Sequence, residues 1–392
     1  MNKRIVAVID FGSQYTQLIA RRVRENNIYS KIFSHSISAD KLKKMNIDAI
    51  ILSGGPSSVY KNNAPQLDKQ ILKWDIPILG ICYGLHLMVS GNKGHIVHKG
   101  HGEYGFATIN SELKSPLFNN IASDSRVWMS HGDEIDSLGN QFNVVARSSN
   151  NVIAAIQHIN LPHFGVQFHP EVVHTVEGSQ MLHNFLISIS SCQTNWTAAN
   201  FISQTISSIQ NTVGDKGKVI TGLSGGVDSS VVGTLLHRAI GERSRCVFID
   251  HGMLRKNEAD HVMGSLKQGL GLNIYKYNEA KIFLKALKGI VDPEEKRKII
   301  GKQFIRSFEF AATNHQDAKF LAQGTLYPDV IESGGSTLGP AVTIKSHHNV
   351  GGLPEDMEFT LIEPIRDLFK DEVRNVGREL GLPDFVIERH PF

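Results

Sequence analysis

At residues 222–230 the chain reads Gly-Leu-Ser-Gly-Gly-Val-Asp-Ser-Ser, and this stretch decides the fold of the second half of the sequence. It joins an apolar strand pattern at 218–223 to a helical pattern at 227–240. Small residues in such a turn leave backbone N–H groups open, and the start of a helix adds unsatisfied amides with partial positive charge. The sequence therefore predicts a phosphate site formed by Ser224, Gly225, Gly226, Val227, Asp228, Ser229 and Ser230.

This loop differs from a kinase-type nucleotide loop in its charged residue. It lacks the lysine of GxxxxGK[ST], which reaches the terminal phosphates in γ-phosphoryl transfer. It carries Asp228 instead, and a carboxylate is a ligand that Mg²⁺ takes together with phosphate oxygens. The residues predict an ATP site in which Asp228 holds Mg²⁺ against a pyrophosphate. The alternative is an ordinary glycine turn that opens a helix.

A second turn between a strand and a helix lies in the first half and carries a cysteine. Residues 77–81 read as a buried strand and residues 85–89 as the start of a helix, with Cys82 between Gly80 and Gly84. Such an elbow exposes the side chain at a helix N-terminus, where the thiolate is favoured. Considered alone, Cys82 also fits a buried apolar thiol.

A candidate base for this cysteine lies far downstream, in the run 164–171. His169 is followed by Pro170 and then by Glu171. The imidazole of His169 would take the thiol proton, and Glu171 would hold the other ring nitrogen. The two motifs together favour a catalytic triad of Cys82, His169 and Glu171 over a buried thiol.

Both halves resemble known families. The elbow and the His-Pro-Glu triplet resemble those of class I glutamine amidotransferases, which implies glutamine hydrolysis through a thioester on Cys82 with release of ammonia. That family also implies an oxyanion hole formed by the amides of Gly55, in the turn at 53–56, and Tyr83. The loop at 222–230 resembles the Ser-Gly-Gly-x-Asp-Ser signature of the ATP pyrophosphatases, which implies transfer of AMP to a carbonyl oxygen.

The order of the motifs is similar to that of the glutamine-hydrolysing GMP synthases, over essentially the whole chain. Further runs that carry the resemblance lie at 8–15, 127–133, 292–301, 323–333 and 344–354. The family implies glutamine, XMP and MgATP as reactants, with an adenylyl-XMP intermediate that ammonia converts to GMP. The candidates for the substrate side of the loop are Gln323, Gly324, Asp329, Glu332 and Lys345. Helix capping by the two acids and a surface position for Lys345 are the alternatives.

The sequence departs from the family pattern at three places. His86 stands where the elbow usually has a Gln that helps to hold the substrate glutamine, and Gly102 stands where Arg is usual. The chain also ends at Phe392, within a run that in these synthases leads into a domain that forms the homodimer and completes the nucleotide site. From the resemblance we expect a mainly monomeric chain that binds MgATP better than XMP.

Two other functions fit parts of the pattern. A related amidotransferase–ligase, such as one that makes NAD or CTP, would combine the same two activities. The position of the glutaminase motifs before the loop and the run at 323–333 argue against it. A non-catalytic regulatory relative of the synthases is the other alternative, because it would tolerate His86 and the shortened C-terminus.

Composition is that of a globular intracellular enzyme. The 392 residues include 41% hydrophobic and 20% charged residues, and the net charge of +3 gives no basic patch for nucleic acid. Three cysteines provide no even disulfide framework, and the first residues do not form a signal peptide. No apolar run is long enough for a membrane span. We expect a cytoplasmic protein.

The pattern of strands and helices predicts an α/β fold with two doubly wound domains and mainly parallel sheets. Strands at 4–9, 29–33, 49–52 and 76–81 alternate with helices at 16–25 and 65–74, and shorter runs at 106–157 suggest an antiparallel extension. A linker at 191–200 separates an amidotransferase domain at 1–190 from an ATP-pyrophosphatase domain at 201–392. Strands of the second domain are expected at 218–223, 245–249, 273–277 and 319–323.

Overall fold

A computed structural model describes residues 3–112, 114–315, 317–332 and 359–389, and for 99–101 it describes the backbone only. The chain divides into two compact units, Met1–Thr197 and Ala198–Phe392. The first helix of the C-terminal unit begins at Ala198, so it includes the last residues of the segment predicted as a linker. None of the helices in the described part of the chain combines the length and apolar character needed to cross a bilayer.

The N-terminal unit is built on one nine-stranded sheet. Its strands are β1 (Ile5–Asp10), β2 (Ser30–Ser34), β3 (Ile47–Leu52), β4 (Ile78–Ile81), β5 (His95–Ser111), β6 (Arg126–Ser137), β7 (Phe142–Ser148), β8 (Ile153–His158) and β9 (His163–Val166). The order across the sheet is β2-β1-β3-β4-β9-β8-β7-β5-β6. The five strands from β2 to β9 pair in parallel, and the pairs from β9 to β6 are antiparallel. The predicted antiparallel extension is therefore confirmed.

The helices of this unit are α1 (Thr16–Glu25), α2 (Ala39–Lys43), α3 (Tyr83–Gly91) and α4 (Gly178–His183), which continues as a π-helix over Asn184–Ile189. Short 3-10 turns lie at Ile71–Lys73 and Pro116–Phe118. The ten-residue helix predicted at 65–74 is wrong, because only the 3-10 turn forms there. The carboxylate of Asp68 accepts bonds from the backbone N–H groups of Ala39 and Gln70, and such local side-chain bonds compete with a helix.

The core of the N-terminal unit lies between its parallel strands and helices. The strands bring runs of fully buried aliphatic residues to it, as expected where both faces of a parallel sheet are covered. Members from the strands and from α3 include Ile9, Leu52, Ile78, Leu85 and Met88, each with 0% exposure. This packing fixes the end of β4 and the start of α3, between which Cys82 lies.

The C-terminal unit is built on a five-stranded parallel sheet. Its strands are β10 (Val219–Gly222), β11 (Ser244–Asp250), β12 (Ile274–Asn278), β13 (Phe320–Ala322) and β14 (Thr360–Ile362), in the order β12-β11-β10-β13-β14. Every neighbouring pair is parallel. The four strands predicted here agree with β10 to β13 to within a residue or two.

The helices of the C-terminal unit are α5 (Ala198–Val213), α6 (Val227–Ile240), α7 (Glu258–Val262), α8 (Ala280–Leu287), α9 (Pro293–Thr313), α10 (Tyr327–Glu332), α11 (Lys370–Glu379) and α12 (Asp384–Ile387). A 3-10 turn lies at Gly241–Arg243, and a π-helix at Met263–Gly269 extends α7. Local signals explain α9: Asp292 caps it by accepting from the N–H of Glu295 at 2.7 Å, and Pro293 is its first residue.

The strand orders confirm the predicted fold class. In each sheet the chain starts at an interior strand, β1 or β10, and extends in both directions, which is the property of a doubly wound sheet. In the C-terminal unit the direction reverses between β10 and β13. Ligands of open α/β sheets bind outside the carboxyl ends of the strands at such a point. The loop at 222–230 follows β10 directly, and Gln323 follows β13.

Candidate functional site

The elbow at Cys82 is held by close packing of glycines. Cys82 has φ 50° and ψ −104°, a strained conformation for a residue with a side chain, and it caps the N-terminus of α3. A Cβ on Gly84 would lie 2.4 Å from the carbonyl oxygen of Leu52, and one on Gly80 would lie 2.6 Å from Sδ of Met88. The fold therefore requires glycine on both sides of the cysteine, as the motif predicts.

The thiol lies in a narrow, mostly buried position, and Cys82 is 6% exposed. Its Sγ is 3.8 Å from the carbonyl oxygen of Ser130 and 3.8 Å from Nε2 of Gln167. Gly54 bounds the space between the cysteine and the histidine, since a Cβ there would be 3.1 Å from Cε1 of His169 and 3.8 Å from Cβ of Cys82. The structure thus brings Cys82 and His169 together across Gly54.

His169 and Glu171 form a buried pair. Nδ1 of His169 is 2.8 Å from Oε1 of Glu171, and the two residues are 4% and 0% exposed. Burial by itself would lower the pKa of His169, but the charge of Glu171 and hydrogen bonds to Cys82 and Glu171 raise it to about 10. The imidazole is therefore held as a cation beside the thiol, which favours the thiolate.

The backbone around this pair is fixed from three sides. The N–H of His169 donates to the carbonyl oxygen of Trp128 at 3.0 Å, and Oγ1 of Thr175 donates to the carbonyl oxygen of His169 at 2.6 Å. Nε of Arg22 donates to the carbonyl oxygen of Glu171 at 3.0 Å. These bonds prevent the imidazole and the carboxylate from separating.

The predicted oxyanion donors lie next to the elbow. Tyr83 is the first residue of α3, and the first amides of a helix have no partner within it. Gly55 packs against the same side chain, because a Cβ on it would be 3.4 Å from Cδ1 of Tyr83 and 2.7 Å from the carbonyl oxygen of Phe11. The role of the two amides as an oxyanion hole stays a prediction, which the contact of Gly55 with Tyr83 supports.

His86 has a partner that the sequence did not indicate. It is buried on α3, one turn after Cys82, and its Nε2 is 2.7 Å from Oε1 of Gln167. Gln167 is also fully buried and contacts Sγ of Cys82 through its Nε2. A histidine at this position therefore contacts a protein side chain directly behind the thiol.

In the C-terminal unit the loop at 222–230 forms a tight turn at the start of α6. Gly225 has φ 75° and Gly226 caps α6 in an extended conformation, so the first amides of the helix are open. Oγ of Ser229 accepts from the N–H of Ser224 at 3.1 Å, and Oγ of Ser230 donates to the carbonyl oxygen of Gly226 at 2.8 Å. The hydroxyls of these serines thus brace the loop, with Ser230 buried and Ser229 nearer to solvent.

Asp228 has an ion-pair partner that sequence reasoning missed. Nζ of Lys370 lies 2.7 and 2.6 Å from the two carboxylate oxygens of Asp228. Lys370 is the first residue of α11 and is followed by Asp371 and Glu372 in the same turn. A lysine at the positive end of a helix is unfavourable for the helix itself, and this local conflict is the signal that could have identified it.

Arg389 is a second cation at the loop that sequence reasoning missed. Its Nη1 donates to the carbonyl oxygen of Ser224 at 3.3 Å, and its Nη2 forms an ion pair with Glu258. Burial lowers the pKa of Arg389 from its ordinary value, although the charge of Glu258 opposes this. The side chain is nearly buried, with 8% exposure.

The predicted substrate-side residues lie in different places. Gln323 and Gly324 follow β13 beside the loop, and a Cβ on Gly324 would be 3.5 Å from Cβ of Asp228. Asp329 is in the first turn of α10, where its carboxylate accepts from the N–H of Leu326 at 2.9 Å, and Glu332 ends the same helix in an exposed position. This contact is the capping role considered for Asp329. Lys345 lies outside the described residues.

The residues at the loop fit a magnesium ion that is held mainly by phosphate. No group of three or more His, Cys, Asp or Glu side chains suited to a metal occurs in the described ranges. Mg²⁺ in nucleotide sites keeps waters and is bound by one or two carboxylates together with substrate phosphates. Asp228, which is partly exposed at the mouth of the loop, supplies one such carboxylate.

Comparison with known proteins gives matches to both units. Residues 7–189 match the family described as glutamine amidotransferase class-I, and residues 198–307 match the family described as NAD synthase.

Relatives that match nearly the whole of this chain are also found. Over 391 residues the chain is 50% identical to the glutamine-hydrolysing GMP synthase of Oceanobacillus iheyensis, covering 100% of this chain and 76% of that protein. It is 51% identical over 394 residues to the corresponding synthase of Mesoplasma florum, covering 100% of this chain and 76% of that protein. The synthase of Bacillus cytotoxicus is 50% identical over 387 residues, covering 99% of this chain and 75% of that protein.

Proposed function

The chain belongs to the family of glutamine-hydrolysing GMP synthases, and we propose that its two units each carry one of the two half-reactions. The function of this family is an ATP-dependent C–N ligation in which glutamine provides the nitrogen that converts XMP to GMP. The N-terminal unit, with Cys82, His169 and Glu171, hydrolyses glutamine. The C-terminal unit, with the loop at 222–230, uses ATP to activate XMP.

The glutaminase half-reaction begins at Cys82. Its thiolate attacks the amide carbon of glutamine, so that a C–S bond forms and the carbonyl oxygen becomes an oxyanion. The amides of Gly55 and Tyr83 are the donors we assign to this oxyanion, because preorganised donors stabilise charge as it develops. The cationic imidazole of His169 gives a proton to the departing nitrogen, the C–N bond breaks and ammonia leaves.

Hydrolysis of the resulting thioester returns the enzyme to its first state. Neutral His169 takes a proton from water, the hydroxide oxygen attacks the thioester carbon, and the C–S bond breaks to release glutamate and the Cys82 thiolate. Glu171 stays ionised throughout and holds Nδ1 of His169 at 2.8 Å, so that the other ring nitrogen faces the reacting atoms. This is the role of the third group in a nucleophile–base–orienter triad.

The synthetase half-reaction takes place at the carboxyl edge of the parallel sheet. The C2 oxygen of XMP attacks the α-phosphorus of ATP, an O–P bond forms, and pyrophosphate leaves. Ammonia then attacks C2, the bond from C2 to the adenylyl oxygen breaks, and AMP leaves with GMP as product. We assign the amides of Gly225 and Val227 to the phosphates that become pyrophosphate.

Magnesium, when bound, would neutralise charge on the pyrophosphate end of ATP. We propose that Asp228 provides its protein carboxylate and that Lys370 neutralises this carboxylate when no metal is present. The close ion pair between the two residues supports both assignments, because the carboxylate already attracts a cation, and Mg²⁺ would replace the ammonium there. Gln323 and Gly324 would contact the nucleotide on the other side of the point where the strand order reverses.

The observation that carries the proposal is the buried contact of His169 with both Glu171 and Cys82. It is tested by Cys82→Ala in an assay of pyrophosphate release with XMP and ATP. Activity with glutamine should disappear while activity with ammonium is retained, because free ammonia bypasses the triad. Equal loss of both activities would remove Cys82 from its role. Absence of XMP-dependent pyrophosphate release in the unmodified chain would favour another ligase or a regulatory relative.

Two further assignments complete the proposal. The cytoplasm is the compartment we propose, and three free cysteines without a disulfide are compatible with it. The homodimer that the family resemblance implies stays a prediction, and sedimentation velocity of this chain with and without nucleotides would measure the oligomeric state.

A further inference from the structure

Three buried side chains form a continuous chain of hydrogen bonds that ends at the nucleophile. Nε2 of His86 is 2.7 Å from Oε1 of Gln167, and Nε2 of Gln167 is 3.8 Å from Sγ of Cys82. His86 and Gln167 are 3% and 0% exposed, so water does not compete for these bonds. The triad accounts for His169 and Glu171, but it gives no role to this second contact of the sulfur.

The orientation of the Gln167 amide decides which atom donates in each of these hydrogen bonds. Burial lowers the pKa of His86 to about 4, the charge of His131 acts in the same direction, and the bond to Gln167 and the charge of Asp133 oppose it. The imidazole is therefore neutral near pH 7 and carries one proton. An amide oxygen only accepts hydrogen bonds, so that proton must be on Nε2, where it donates to Oε1 of Gln167.

We propose that His86 is a positioning residue for the nucleophile: it locks the amide of Gln167 so that an N–H group points at the sulfur of Cys82. The proposal rests on the assignment of Cys82 as nucleophile. A thiolate needs a donor, whereas a thiol could instead donate to Oε1 if the amide were rotated. Holding Oε1 against His86 removes the second arrangement, and the thiolate is favoured.

The electrostatic surroundings of the thiol are otherwise defined by a few groups. His169 with Glu171 faces the sulfur from the segment after β9, while the charges of His131 and Asp133 on β6 act on His86. Nε2 of His131 lies 3.4 Å from Oε2 of Glu103 on β5. Gln167 is hydrogen-bonded to His86 and also contacts the sulfur, which links His86 to Cys82.

The test measures alkylation of Cys82 by iodoacetamide in the full chain as a function of pH, by mass spectrometry of its peptide. Burial raises the pKa of both Cys192 and Cys246 to about 12, so these thiols serve as slow internal references. Loss of one hydrogen bond to a charged group corresponds to roughly a tenfold change or more. His86→Leu should therefore slow alkylation at pH 7 about tenfold and displace the profile to higher pH.

Two further variants distinguish positioning from a general structural effect. Gln167→Leu should slow alkylation as His86→Leu does, and the double variant should be no slower than Gln167→Leu alone, because His86 acts only through the amide. His86→Gln should restore much of the rate, since its amide N–H reaches a similar position to Nε2. The matched control is His163→Leu, because His163 is also fully buried but bonds the carbonyl oxygen of Trp74 at 3.0 Å.

An alkylation profile of His86→Leu that equals that of the unmodified chain would overturn the proposal, as would an undiminished effect of His86→Leu in the Gln167→Leu background. Should His86→Leu not fold, His86→Gln and Gln167→Leu still test the coupling. The result is separate from the assignment of the triad. If Cys82→Ala retained glutaminase activity, the function proposed for Cys82 would fail, whereas the alkylation data would still report on His86.

Discussion

Replacing Glu171 by Gln is the substitution that most directly tests the charge of the triad. The amide has the shape of the carboxylate and can still accept from Nδ1 of His169, which lies 2.8 Å away. It has no negative charge, and that charge raises the pKa of His169 against the effect of burial. The imidazole of His169 should then lose its proton at lower pH, so that the cation beside Cys82 is lost.

The size of the effect follows from burial. Both residues are almost fully buried, and Oε2 of Glu171 has no hydrogen-bond partner within the described residues. A hydrogen bond to a charged group contributes ~1.5–3 kcal/mol, and ~1.4 kcal/mol is a tenfold change in rate. In Glu171→Gln an amide N–H would take the position of Oε2 and leave one buried donor unsatisfied, which further destabilises the site. We expect glutamine hydrolysis to fall roughly 10- to 100-fold or more.

The assay compares GMP formation from glutamine with GMP formation from ammonium. Only the first should fall in Glu171→Gln, and the loss of its remaining activity on the alkaline side should move to lower pH, because the imidazole of His169 loses its proton sooner. Glu177→Gln is the matched control, because Glu177 accepts from the N–H of Ala122 at 3.2 Å, outside the site. Glutaminase activity within twofold of the unmodified chain, or a parallel fall of both activities, would refute the role of the Glu171 charge.

The other predictions concern the loop, the elbow and acid stability. Asp228→Asn should lower pyrophosphate release by ~10²-fold or more, since a positioned charge is lost, while glutaminase activity measured alone stays near the parent value. In Gly54→Ala the added Cβ would lie 3.1 Å from Cε1 of His169 and displace the imidazole. Steady-state assays should then show intact ammonium-dependent activity and glutaminase activity reduced about tenfold or more. Burial lowers the pKa of His163 to about 4. Below about pH 6.5, His163 therefore binds a proton in the unfolded chain but stays neutral in the folded chain. Stability should fall between pH 6.5 and 4, and His163→Gln should flatten this fall in Tm.

Local sequence signals predicted the elements that carry the chemistry. The helices at 16–25 and 227–240 have the predicted bounds, because each has a buried apolar face and the second follows a glycine that caps it. The strands before Cys82 and before the loop were also predicted, since continuous apolar runs of this length are typical of buried parallel strands. The family that the motifs resembled is confirmed by relatives with about 50% identity over the whole chain.

The contacts that the sequence did not predict all join residues that are distant along the chain. Lys370 lies 142 positions after Asp228, and Gln167 lies 81 positions after His86. No helical or strand period relates such residues, and only the arrangement of the strands brings them together. The failed helix at 65–74 is the opposite case, because its apolar residues are buried but the carboxylate of Asp68 binds the backbone instead.

In each unit a turn between a parallel strand and a helix carries the candidate site residues, but the two turns reach positive φ differently. The loop at 222–230 adopts positive φ at Gly225, where glycine has no steric cost. The elbow adopts positive φ at Cys82, a residue with a side chain, and the strain must be offset by packing around it. That packing includes the contacts of Gly84 with Leu52 and of Gly80 with Met88. Substitution of either glycine should therefore remove glutaminase activity, whereas the loop depends mainly on the charges beside it.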